Sequence, residues 1–217
     1  GVTNAMTGIA SAWLDSIPLL VITGQVQRKD RATGKGVRQL GFQELDTVSL
    51  VKSITKYAVT VTDPNDIVYL VEKALHIART GRPGPVVIDI PQDVQAATID
   101  VHSCRTYPRC FPEPSIRNKL DIKDITSDVI EGLNESSRPI ILVGNGVRLS
   151  GAISQLKQFL QKTKIPVLTT WKALDILHED HPLYVGRPGG VGQRGANFNQ
   201  QNSDFIICLG ARLDHGQ

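Results

Sequence analysis

The chain has 217 residues, room for one large or two ordinary domains, and 41% of them are hydrophobic, as in soluble globular proteins. A net charge of +3 is too small to argue for a nucleic-acid partner, and no apolar run approaches the ~20 residues of a membrane span. Cys104, Cys110 and Cys208 form an odd set without metal-ligand spacing, which reads as reduced thiols in a cytoplasmic protein.

The first segment has helical periodicity. Met6, Ile9, Ala10, Trp13 and Leu14 fall on one face, and Thr3 or Asn4 can cap the start. Residues 18–23 then read as a buried strand ended by Gly24. A polar loop over 27–39 carries Arg28, Lys29, Arg31, Lys35 and Arg38 against Asp30 alone. It is either a solvated loop or a rim that attracts an anionic substrate or cofactor. Aromatics for base stacking are not interleaved there, which argues against nucleic acid. A short helix is predicted over 43–51 and a strand over 55–61.

Asp63-Pro64 opens another helix, with Asp63 as cap and Pro64 in the first turn. Ile67, Leu70, Val71, Ala74 and Ala78 are its buried stripe, and Gly81 ends it. Residues 85–90 are the next strand, stopped by Pro91. Over 96–120 the pattern fades among Pro108, Pro112 and Pro114, as in an interdomain linker. A helix is predicted over 122–133 and a strand over 139–143, followed by Gly144-Asn145-Gly146. A helix over 150–162 turns Ile153, Leu156 and Leu160 inward, and strands follow at 165–169 and 204–209.

Strands alternating with helices give an α/β fold class with two parallel-sheet layers, over residues 1–95 and 121–217. Both layers read as incomplete. Three strands alone leave an open edge, and the second layer stops after a strand that calls for a further crossover. The expectation is a piece of a longer protein.

Several stretches carry a resemblance. Gly1-Val-Thr-Asn4, Leu14-Asp-Ser-Ile-Pro18, Val21-Ile-Thr-Gly-Gln25, Phe42-Gln43-Glu44 and the run from Gly81 to Pro91 resemble the pyrimidine-binding domain of the acetolactate synthase family. Leu142-Val-Gly-Asn-Gly-Val147, Ile165-Pro-Val-Leu-Thr-Thr170, Glu179-Asp-His-Pro182 and Gly210-Ala-Arg-Leu-Asp214 resemble its Rossmann-like central domain. The resemblance implies a thiamine-diphosphate enzyme whose active site lies across the interface of a homodimer or tetramer. It implies a 2-keto acid substrate, with pyruvate decarboxylated and the acetyl unit passed to an acceptor. In that family a glutamate activates the cofactor's aminopyrimidine, and an aspartate and an asparagine hold Mg2+. The resemblance places all three outside this sequence, so the chain is expected to be inactive alone.

The resemblance assigns roles to particular residues. Asn4 lies beside the aminopyrimidine, where a neutral amide suits a polar ring. Gln43 is an active-site residue contributed across the interface, and Phe42 is an apolar wall or a core residue. Lys56 meets substrate or follows its strand into solvent. Arg82 touches FAD or answers the carbonyls at a helix end. Gly144, Asn145 and Gly146 admit a diphosphate or form an ordinary turn. They are not the dinucleotide fingerprint, since Leu149 stands where its third glycine would be. Thr169, Thr170 and Trp171 lie along the flavin, and Gly210, Ala211, Arg212 and Asp214 form a second flavin-contacting strand end. ADP is the fallback for a loosened ring pocket. His178 and His181 shape a turn.

This sequence departs from the family at Gln27, where proline is usual, in the longer loop that follows, and at Gly190-Val191, which replaces a Met-His pair. Those departures weaken the substrate shell more than the flavin shell. The expected activity is carboligation of pyruvate with a second 2-keto acid. Alternatives are carboligation with a nucleotide-linked keto sugar, a related decarboxylase or lyase, and a non-catalytic nucleotide-binding module.

Overall fold

The computed structural model describes residues 1–108 and 119–213, which divide into two compact units, Gly1–Ile116 and Arg117–Gln217. The first unit contains α1 (Val2–Asp15), β1 (Leu19–Gln25), α2 (Thr47–Val51), β2 (Tyr57–Thr60), α3 (Ile67–Arg79), β3 (Pro85–Pro91) and α4 (Gln92–Gln95). Its sheet is parallel with order β1-β3-β2, and Asp89 of β3 is in register with Thr23 on one side and Thr60 on the other.

The apolar run of β3, interrupted only by Asp89, is what a strand buried on both faces requires. Val86 and Ile88 pack with Ala74 and Ala78 of α3, while Val87 packs with Val2, Ile9 and Val51 of α1 and α2. Each such side chain contributes about 1.5–3 kcal/mol on burial.

The α3 stripe is as predicted, and Gly81 after it has φ +60. Asp63 caps a single 3-10 turn, Pro64–Asp66, by accepting from Asn65 N at 2.9 Å. The α1 prediction is off by a rotation. The helix starts at Val2 without a side-chain cap, so Asn4 lies in its first turn and caps nothing. Its buried residues are Val2, Ile9 and Ala12, and Trp13 and Leu14 are exposed. The sheet-facing side carries aliphatic Val2 and Ile9 with Ala12, and Trp13 and Leu14 are left outside.

Lys56 neither runs into solvent nor stands free for substrate. Its Nζ donates to the carbonyls of Ile77 and Thr80, closing the carboxyl end of α3. Part of the stretch read as linker also lies along α3. Arg105 pairs with Asp66 at 3.0 Å and sits over the Tyr69 ring, and Tyr107 meets that ring edge-on.

The second unit contains α5 (Lys119–Glu135), β4 (Pro139–Val143), α6 (Gly146–Leu149), α7 (Ile153–Thr163), β5 (Val167–Thr169), β6 (Tyr184–Gly186), α8 (Arg194–Asn202) and β7 (Phe205–Leu209). Its parallel sheet has order β6-β5-β4-β7. One face buries Ile141, Val143 and Ile207 against Leu156 and Leu160 of α7. The other buries Ile140, Leu142 and Leu168 with Ala196 of α8. The helix predicted over 150–162 is α7, which starts at Ile153; α6 precedes it, and Gly151 between them has φ +72. The sequence reading had no counterpart for β6 or α8.

Candidate functional site

In a parallel α/β layer, ligands are met at the carboxyl ends of the strands, and both units present chemistry at that edge. In the first unit the chain leaves β1 at Gln25 and returns through a loop to α2. Within that loop Glu44 N donates to Gly41 O at 3.2 Å, which makes Phe42 and Gln43 the two central residues of a tight turn. Gln43 has φ 57, the left-handed conformation that turns of this kind usually give to glycine. A non-glycine residue held there costs roughly 1–3 kcal/mol and marks a position fixed by its surroundings. Phe42 is 85% exposed, so the core-packing alternative for its ring does not hold within this unit. The helix predicted from residue 43 starts instead at Thr47, where Asp46 caps it through Ser49 N.

The turn is tied to the sheet. Gln25 Nε2 donates to Leu45 O at 2.8 Å and to Asp89 Oδ2 at 3.1 Å. Asp89 is fully buried and also accepts from the hydroxyls of Thr23 at 2.7 Å and Thr60 at 3.2 Å. Glu44, also buried, accepts from the backbone N–H of Ala32, Leu40 and Gly41 at 2.6, 3.1 and 3.4 Å. Burial pushes its carboxyl pKa up, but those three N–H groups and the Arg31 charge hold it below the ordinary value. Neither acidic residue was singled out from the sequence as holding this turn. A lone acid inside a strand and an acid beside Gln43 carry no periodic signal.

The basic loop is partly committed to structure. Arg28 Nε pairs with Asp93 at 2.6 Å, and its Nη1 donates to Thr62 O. Lys35 Nζ donates to Lys29 O at 2.6 Å. The side chains of Lys29 and Arg38 are on exposed residues. Asn4 is exposed in the first turn of α1. The three-residue connection into β1 puts the other end of that helix at the start of the strands, so the turn that carries Asn4 lies at the opposite end of the helix. Arg82 Nε donates to Ser16 Oγ at 2.7 Å, joining the turn after α3 to the left-handed end of α1.

In the second unit three of the singled-out stretches meet at one edge. Thr170 N donates to Val143 O at 2.9 Å, Gly144 N to Leu209 O at 2.8 Å, and Gly146 N to Gly210 O at 3.0 Å. The backbones are in direct contact. A Cβ on Gly144 would lie 2.2 Å from Gly210 O, and one on Gly210, which has φ +62, would lie 2.5 Å from Val147 N. The glycines are therefore required by packing, and the N–H groups of Gly144 and Gly146 are already donated.

Asn145 accepts from Arg148, which also pairs with Asp175 at 2.6 Å and so fastens the turn to the segment after β5. Thr169 and Thr170 are buried, with Thr169 Oγ1 3.4 Å from Tyr184 OH. Trp171 is half-exposed, Ala211 lies half-buried beside Leu142 and Leu168, and Arg212 is exposed. Asp214 lies outside the described residues.

The structure adds Arg187 to this edge. It follows β6, is largely buried, lies 5.6 Å from the Trp171 ring centroid and reaches Glu179 at 3.6 Å. Gln193 and Asn197 clamp the glycine-rich loop beside it, through Arg187 N at 2.8 Å and both backbone groups of Gly189. The short β6 strand would have pointed to them. His178 and His181 shape a turn, as read from the sequence, with Leu183 N donating to His181 Nδ1. Among the described residues no cluster of three or more His, Cys, Asp or Glu could hold a metal, and no helix is long and apolar enough to cross a membrane.

Comparison with known proteins places both units. Residues 1–50 match the family described as thiamine pyrophosphate enzyme, N-terminal TPP binding domain, and residues 126–217 match thiamine pyrophosphate enzyme, central domain. The chain is 39% identical over 214 residues to the acetolactate synthase large subunit of Lactococcus lactis, covering 99% of this chain and 36% of that protein. It is 39% identical over 219 residues to the acetolactate synthase large subunit of Corynebacterium glutamicum, covering 99% of this chain and 33% of that one. It is 35% identical over 217 residues to the acetolactate synthase isozyme 2 large subunit of Escherichia coli, covering 99% of this chain and 37% of the relative. The chain thus spans about a third of the length of the curated relatives it matches. With two α/β units matching two successive domains of one family, and similarity to acetolactate synthase large subunits along 99% of this chain, the chain belongs to the thiamine pyrophosphate enzymes.

Proposed function

We propose that this chain is part of a thiamine-diphosphate-dependent carboligase that decarboxylates pyruvate and transfers the acetyl unit to a second 2-keto acid. The observation that carries the reading is the Gly41–Glu44 turn. It holds Gln43 in a left-handed conformation and leaves Phe42 exposed, at the edge where parallel layers meet ligands. A strained, rigidly held pair of this kind is the sort of place where stability is given up for function. The cofactor supplies the carbon–carbon chemistry; the chain's residues bind, orient and exclude water. In this reading Gln43 presents its amide to the reacting groups, Phe42 walls them from water, and Asn4 faces the aminopyrimidine. The site is completed by a second copy of the protein, and Mg2+ is held by groups outside this chain.

The central unit is the proposed seat of FAD, or of ADP in a loosened pocket. Support comes from the convergence of Thr169–Trp171, Gly144–Gly146 and Gly210–Arg212 on one strand edge, with Arg212 exposed there. Charge on the diphosphate is then met by the Arg212 side chain rather than by the Gly144 and Gly146 amides. A nucleotide-linked keto sugar is the alternative acceptor, favoured by exposed Lys29 and Arg38 on the loop that precedes the turn. The protein is proposed to work in the cytoplasm.

The test uses the full-length protein with Gln43→Ala and Gln43→Gly. Both remove the amide, and glycine also relieves the left-handed strain. Gln43→Gly is expected to raise stability by up to about 1 kcal/mol while lowering acetolactate formation at least tenfold. Melts and kinetics on one sample decide. Normal turnover per folded molecule in both variants would overturn the reading.

A further inference from the structure

We infer that Glu44 is the positioning residue of the Phe42–Gln43 turn, setting the geometry on which catalysis by the tip depends; this rests on the function proposed above. Glu44 closes the turn twice. Its own N–H donates to Gly41 O, and its carboxylate collects the N–H groups of Ala32, Leu40 and Gly41. One oxygen serves Ala32 at the far side of the loop, and the other serves the two residues entering the turn. The side chain is buried, with Arg31 as the nearest opposite charge. It therefore binds the 31–41 loop to the tip as one rigid piece.

Gly41 fits closely as well, since a Cβ there would lie 2.8 Å from Val26 Cγ1. On the other flank Leu45 O is held by Gln25, itself fixed on buried Asp89. Both sides of Phe42 and Gln43 are anchored while the two side chains themselves project. That is the arrangement that keeps a left-handed glutamine in place without a glycine.

Only an acceptor on both oxygens can make this clasp. Glu44→Gln keeps the size and replaces one acceptor by an NH2 facing N–H donors, so the loop must open on one side. Ala32→Pro removes one donor from the loop side without touching Glu44. The preceding Arg31 already has ψ 138, compatible with a following proline.

The experiment takes full-length wild type, Glu44→Gln, Ala32→Pro and Gln43→Ala. It measures kcat and KM for pyruvate per folded molecule, and the rate of trypsin cleavage after Lys35 and Arg38. In Glu44→Gln, kcat is expected to fall about tenfold to a hundredfold, as misplacement of a catalytic group does, with a much smaller change in KM. Loop cleavage is expected to quicken in step. Ala32→Pro is expected to show the same pattern more weakly. Looser loops with unchanged kcat, or unchanged loops with Gln43→Ala still impaired, would overturn the role given to Glu44. A loss of activity fully explained by a smaller folded fraction would overturn it too. Unimpaired Gln43→Ala would instead overturn the reading of the tip itself, and the role of Glu44 with it.

Discussion

Replacing Gly210 by alanine separates packing from ligand binding at the edge of the central unit. Gly210 has φ +62, and a Cβ would come 2.5 Å from Val147 N and 2.8 Å from Gly146 Cα. All of the near atoms are backbone, so no side chain can swing away. Left-handed strain costs about 1–2 kcal/mol. Overpacking against a fixed neighbour adds about 1–3 kcal/mol. Gly151 is the internal control, with φ +72 and nothing within 4 Å of a Cβ, so Gly151→Ala carries the strain alone. Gly144→Ala carries the clash alone, at 2.2 Å from Gly210 O, and no left-handed φ. Thermal melts without nucleotide are the assay. Gly210→Ala is expected to lower Tm by roughly 4–20 °C, given ~2–4 °C per kcal/mol for a chain of this size, and Gly151→Ala by roughly 2–8 °C. If Gly210→Ala melted with Gly151→Ala, and Gly144→Ala with wild type, the packing argument would be refuted. The glycines would then be free to serve a ligand, and only nucleotide affinity would be expected to fall.

Four further outcomes are expected. The Asp204 carboxyl is held down to about 2 from 3.8, chiefly by the Ser136 hydroxyl and, against a smaller effect of burial, by the Arg138 and Ser137 N–H groups. A depressed acid pKa stabilises the fold above the unfolded value and loses that effect as pH falls through the folded one. The Tm gap between wild type and Asp204→Asn should therefore hold steady above about pH 5 and narrow between 3.8 and about 2; a gap independent of pH would count against it. Neutralising Lys29 and Arg38 together should raise KM for an anionic acceptor at low salt and less so at high salt, since exposed charges are screened. Arg28→Ala should instead lower stability, because Arg28 ties Asp93 and Thr62 O together, and steady-state kinetics beside a melt tells the two apart. Lys56→Met should cost about 1–3 kcal/mol by stripping the Ile77 and Thr80 carbonyls of their donor, with turnover per folded molecule retained.

The strands were the legible part of the fold. Residues 139–143 are an unbroken apolar run and residues 85–90 one interrupted only by Asp89, and such runs leave little else to do than span a layer covered on both sides. The helix α8 was illegible for the opposite reason. Its sequence, Arg-Gly-Ala-Asn-Phe-Asn-Gln-Gln-Asn, buries Ala196 alone and is rich in poor helix formers, so only its contact with the sheet face selects it. The face of α1 was read one rotation off from its helical spacing, with Ile9 alone common to both faces. The sheet accepts Val2, Ile9 and Ala12, and leaves Trp13 and Leu14 outside.

The candidate site was legible in residue type and illegible in construction. Phe42-Gln43 stood out through resemblance, yet the residues that make the pair usable are an acid one position on, an acid on β3, and a glutamine at the end of β1. Each acts on backbone groups or on another polar side chain, so none leaves a trace in hydrophobic spacing. The helix predicted from residue 43 failed for the same cause. Continuing the helix would have required Gln43 to take right-handed angles, and the Glu44 clasp holds it left-handed until Asp46 can cap a fresh start. At the second edge two readings stood open for Gly144-Asn145-Gly146, a diphosphate cradle or an ordinary turn. The N–H groups of Gly144 and Gly146 are donated to Leu209 and Gly210. A glycine pattern at a strand end thus has two physical causes, backbone meeting ligand or backbone meeting backbone, and only the destination of the N–H groups separates them.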